Sequence, residues 1–119
     1  MRLIALPYVL SVAKYDSLPS GMVGWYSLSV TESEISLVAE TAKLPTGYVA
    51  REDGWRALKV EGTLDFSLVG ILASISAALA ERGIPIFVLS TYDTDVILVK
   101  GDRLRDATAA LESKGVTTI

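Results

Sequence analysis

The chain has 119 residues, 50% hydrophobic and 21% charged, which suits one compact domain or two very small ones and excludes a disordered chain. The formal charge of -3, with Lys and Arg scattered, excludes the clustered basic face of a nucleic-acid binder. No apolar run approaches the roughly 18 residues that span a bilayer, so no membrane partner is expected.

In chain order, residues 3–12 are apolar and interrupted by Pro7, and read as a strand whose proline sits at an edge or bulge. Residues 14–21 carry Pro19 and Gly21 and have room for a turn or one helical turn. The alternating stretches 25–30 and 35–39 predict a hairpin closed by Thr31, Glu32, Ser33 and Glu34. Residues 41–46 make another short connection. Residues 48–61 then form an extended segment broken near Glu52, Asp53 and Gly54.

The second half is more regular. After a corner at Gly62, the apolar positions Leu68, Ile71, Leu72, Ile75 and Leu79 recur three and four apart, which predicts a helix. Asp65 or Ser67 is its expected N-cap, and Gly83 and Pro85 end it. Residues 84–89 and 96–99 are nearly unbroken β-branched and aromatic runs, the composition of strands with a buried face. Asp102 is expected to cap a second helix with Leu104, Ala107, Ala110 and Leu111 inward, ended by Gly115, and residues 116–119 make a last strand.

The resulting order is β-α-β-β-α-β, the ferredoxin-like α+β arrangement with both helices on one face of an antiparallel sheet. The first half repeats that order if its two connections count as reduced helices. We therefore expect tandem units, a reduced one at 1–54 and a complete one at 55–119.

Six consecutive residues with hydrogen-bonding side chains, Ser90, Thr91, Tyr92, Asp93, Thr94 and Asp95, join the two central strands. A hairpin turn needs one or two such residues. The surplus either satisfies its own backbone or holds something polar. The chain has no His and no Cys, so it lacks the usual general base, the thiol nucleophile, the common zinc ligands and any disulfide. It also lacks a Gly-x-Ser-x-Gly elbow and a phosphate-cradling glycine loop. No enzymatic activity, cofactor or metal is expected. The first residues have no signal peptide's apolar core, and a cytoplasmic location is the expectation.

The stretches 54–62, 64–72 and 84–87, with Ser90 to Asp95 and Ile97-Leu98-Val99, resemble the ACT domain, and within it a small stand-alone bacterial group close to aspartate-kinase ACT units and animal cytosolic arginine sensors. The resemblance implies a regulatory module that binds a small ligand, usually an amino acid, and pairs its sheet with a second unit, here as a homodimer. It implies a site at the first strand-helix turn, with Gly62, Asp65, Phe66 and Ser67, and at the corner Ser90, Thr91, Tyr92, Asp93, Thr94 and Asp95. Chemically, exposed N–H groups at the start of the helix suit a carboxylate, and Asp93 or Asp95 suits an ammonium or guanidinium group.

Each residue also has a structural role to play. Asp65 can cap its helix, Gly62 can simply make the turn, and Asp93 and Thr94 can brace the hairpin. Asp95 can pair with Arg56 or Lys100, and Phe66 and Trp55 suit packing. The competing function is a ligand-free assembly module that pairs through its sheet.

Overall fold

The computed structural model describes residues 1–62 and 70–119. The chain divides into two compact units. One comprises Met1–Pro7 with Arg56–Ile119, the other Tyr8–Trp55. The first seven residues therefore belong with the second half of the chain, not with the residues that follow them.

The strand expected at 3–12 is two strands, β1 (Arg2–Ala5) and β2 (Leu10–Tyr15), one in each unit. Pro7 explains the break, since it has no N–H to give a ladder. In the small unit β2 pairs antiparallel with β4 (Ile35–Glu40) and with the first part of β5 (Tyr48–Val60), and β3 (Tyr26–Val30) pairs with β4. The strand order is β3-β4-β2-β5, the ferredoxin-like order. Its two helices are indeed reduced: residues 16–25 contain none, and a 3₁₀ turn at Thr41–Lys43 stands for the other. β5 is not broken at 52–54 as expected. It continues through, and Gly54, at φ +82, accommodates a register shift between Leu10↔Trp55 and Val12↔Glu52.

The small core consists of Ala13, Tyr15, Leu37 and Ala39, with Met22 and Leu44 packed onto it from the two connections. Polar clamps supplement these few apolar contacts. The Tyr15 hydroxyl donates to the Pro45 carbonyl at 2.7 Å, and the Ser11 hydroxyl, fully buried, lies 2.8 Å from that of Thr41 and donates to Asp53 Oδ1 at 2.6 Å. Asp53 in turn accepts from Arg51, whose Nη1 also donates to the Tyr48 hydroxyl. We expect Tyr15→Phe to cost about 1 kcal/mol, the worth of one such bond. A urea midpoint that does not move would show the clamp to be dispensable.

The larger unit follows β5 with α1 (Ile71–Ala80), β6 (Phe87–Ser90), β7 (Asp95–Lys100), a 3₁₀ turn at Gly101–Arg103, α2 (Leu104–Glu112) and β8 (Thr117–Thr118). β6 pairs with β7, β7 with β5, and β5 with β1. A plain ferredoxin-like sheet would put the last strand beside the first. Here β1 takes that place, antiparallel to β5 (Leu3↔Val60, Ala5↔Leu58), and β8 lies parallel on its far side.

Leu3, Leu58, Val60, Ile97 and Val99 share one buried cluster with Ile75, Ala78 and Leu79 of α1 and Ala107, Ala110 and Leu111 of α2. Both helices thus cover the same face, as expected. Val96 and Leu98, of opposite parity on β7, are buried as well, which is why that strand reads as an unbroken apolar run.

The helix starts differ from expectation. α1 has Gly70 as its N-cap, in a left-handed conformation without a side-chain cap, and the expected caps Asp65 and Ser67 lie outside the described residues. α2 has Arg103, because the 3₁₀ turn inserts ahead of it and takes Asp102. The ends agree: Ile84 N–H returns to the Leu79 carbonyl after Gly83, and Val116 N–H to the Leu111 carbonyl after Gly115, both at hydrogen-bonding distance.

Candidate functional site

At one end of the larger unit's sheet, β5 leaves the core through Val60, Glu61 and Gly62, and the β6–β7 hairpin turns at 91–94. A buried side-chain hydrogen bond joins the two features. Thr94, 7% exposed, donates its hydroxyl to the Val60 carbonyl at 3.0 Å. The end of β5 and the central turn are therefore neighbours.

The turn is braced by its own threonines. Thr91 N–H donates to the Thr94 carbonyl at 2.8 Å, the Thr91 hydroxyl donates to the same carbonyl at 3.1 Å, and Thr94 N–H donates to that hydroxyl at 3.3 Å. Both threonine hydroxyls are thus spent on the fold. Ser90 and Asp95 are opposite each other across the hairpin and so share a face, and register puts it on the side of Ile97 and Val99, where the helices pack. Asp95 is half-buried, while Ser90, Asp93 and Tyr92 are exposed, Tyr92 at the turn tip.

Gly62 has φ +85, and among the described residues nothing lies within 4 Å of where a Cβ would be. Its absent side chain therefore serves the left-handed turn rather than relieving a clash. Asp65, Phe66 and Ser67 lie outside the described residues. Among the described residues no group of acidic, His or Cys side chains could hold a metal ion.

Sequence reasoning missed Glu61 and Arg2. Arg2 Nε and Nη2 donate to the two Glu61 carboxylate oxygens at 2.7 and 2.8 Å, and Glu61 N–H donates to the Arg2 carbonyl at 3.0 Å. The Glu61 hydrogen bond, with its charge, raises the Arg2 pKa above the ordinary arginine value. No local pattern announces a pair so distant in sequence.

The small unit repeats the hairpin. Thr31 braces 31–34 as Thr91 braces 91–94, donating N–H to the Glu34 carbonyl at 2.9 Å and accepting from Glu34 N–H at 3.1 Å. The following strands and 3₁₀ turns also start sixty residues apart, at Ile35 and Asp95 and at Thr41 and Gly101. The duplication, invisible residue by residue, is plain in the element boundaries.

Strand order, helix placement and the paired hairpins define this chain as an α+β protein of ferredoxin-like units. A profile of the ACT domain matches residues 50–113, more than half of the chain, and the chain belongs to the ACT domain family. ACT domains are regulatory modules that bind small molecules. The chain is similar to a structural-genomics protein from Agobacterium tumefaciens, at 28% identity and a TM-score of 0.88, over 99% of this chain and 91% of that one. It shares its fold with the α and β subunits of an aspartokinase (13% identity, TM-score 0.63, 95% of this chain and 96% of that one). It also shares it with the allosteric aspartate kinase of Clostridium acetobutylicum (14%, TM-score 0.66, 92% of this chain and 35% of that one). Among the described residues no helix is long and apolar enough to cross a membrane.

Proposed function

We propose that this protein is a non-catalytic amino-acid sensor, working in the cytoplasm as a homodimer, with its ligand in the notch between Gly62 and the Ser90–Asp95 hairpin. The observation that supports this reading most is the buried Thr94–Val60 bond, which holds the hairpin turn against the end of β5, just ahead of Gly62. With Thr91 and Thr94 engaged, the ligand's contacts fall to Ser90, Asp93 and Asp95 and to backbone at Gly62. Carboxylates there suit the α-ammonium of a zwitterion. Aspartate kinases that share the fold include one described as allosteric, which agrees with a regulatory purpose.

A melting screen against the twenty amino acids tests the reading. A ligand at a hundredfold excess over its Kd should add about 2.7 kcal/mol of stability. Asp95→Ala should abolish that response while the apo protein melts as a folded chain. A response that survives the substitution removes Asp95 from the site, and silence from every amino acid leaves the ligand-free assembly module.

A further inference from the structure

We propose that Arg2 is a positioning residue for this notch, holding the backbone of Glu61 and Gly62 where the ligand would meet it. The proposal rests on the ligand placement above, but the hold itself can be measured without a ligand. As β5 ends, it is gripped from two sides. On one, the Thr94 hydroxyl binds the Val60 carbonyl. On the other, Glu61 is joined to Arg2 three times, by its backbone N–H and by both carboxylate oxygens. Gly62, at φ +85, follows immediately and has no side chain with which to fix itself.

The pair does not serve to keep β1 in the sheet. Leu3 does that, fully buried in the core, together with the ladder to β5 and β8. Both Arg2 and Glu61 side chains are substantially exposed, at 53% and 37%, where an ion pair adds little to global stability. Its effect is local. It sits at the last rung of the β1–β5 ladder, where strands fray, and its two-pronged geometry specifies direction as well as charge. A lysine in place of Arg2 would supply the charge without the fork.

Amide hydrogen exchange on the full chain tests this with four proteins: the wild type, Arg2→Ala, Arg2→Lys and the exchanged pair Arg2→Glu with Glu61→Arg. In Arg2→Ala the Glu61 amide should exchange about threefold faster. Arg2→Lys should fall between it and the wild type, and the exchanged pair should return toward the wild-type rate. The amides of Leu6, bonded to the Ala57 carbonyl on β5, and of Ile119, bonded to the Leu3 carbonyl on β1, should keep their rates. Equal acceleration at all three sites would mean that the whole strand is released, and an unchanged Glu61 rate would mean that the pair holds nothing. Either result overturns the proposal. The amino-acid screen on the wild type judges the ligand reading separately.

Discussion

Leu79→Ala is expected to lower the stability of the larger unit by about 2–5 kcal/mol, the range for emptying a closed core site. Leu79 has no exposed surface and sits in the cluster where α1, α2 and the sheet meet. Two helices and the sheet converge on it, so the neighbours cannot collapse into the space without dragging a helix or a strand with them. The measurement is a urea midpoint followed by the helical circular-dichroism signal, because both described α-helices belong to this unit. Leu72, one of the partly buried residues at the edge of the same cluster, supplies the control, and its alanine variant should lose clearly less. Equal losses at the two positions would contradict the core described above.

Thr94→Val is expected to cost about 1–3 kcal/mol, although it preserves the side chain's shape and burial. The valine would leave the Val60 carbonyl without its donor in a place water does not reach, and the Thr91–Thr94 turn would stand detached from the end of β5. Thr94→Ser keeps the hydroxyl and loses only a methyl group, so it should be the milder change. If valine proves milder than serine, packing rather than the hydrogen bond secures Thr94, and the two loops are not tied as described. The ligand response offers a second readout, since a detached hairpin should weaken any binding that depends on both loops.

The fold was legible wherever apolar spacing had one interpretation. Ile71, Ile75 and Leu79 at helical intervals, with Gly83 and Pro85 after them, specified α1 and its end. The apolar run 96–99 specified β7, and Thr31 to Glu34 lay where the first hairpin turns. Helix starts were harder, because capping side chains are only one way to begin a helix. A 3₁₀ turn displaced Asp102, and Gly70 began α1 without any side-chain cap.

The partition of the chain was hidden for another reason. Pairing across distant segments, such as Leu3 with Val60, leaves no trace in local periodicity. The same holds for the site. The crowding of polar residues at 90–95 was visible, but not which of them the fold uses. Thr94 reaches Val60 and Thr91 braces the turn only in three dimensions, and the Arg2–Glu61 fork has no sequence signal at all.

The place of β1 between β5 and β8 has a consequence for how the chain is made. The pairings of β2 with β4 and β5 and of β3 with β4 lie within Tyr8–Trp55, so that unit can close while the ribosome is still adding later residues. The larger unit has no such freedom. Arg2 and Leu3 must wait for Thr117 and Thr118, which are made much later, before their outer edge is covered. Contacts so far apart along the chain form slowly, and the nascent β1 segment, with Leu3 uncovered, is the part most open in the meantime to capture by another polypeptide.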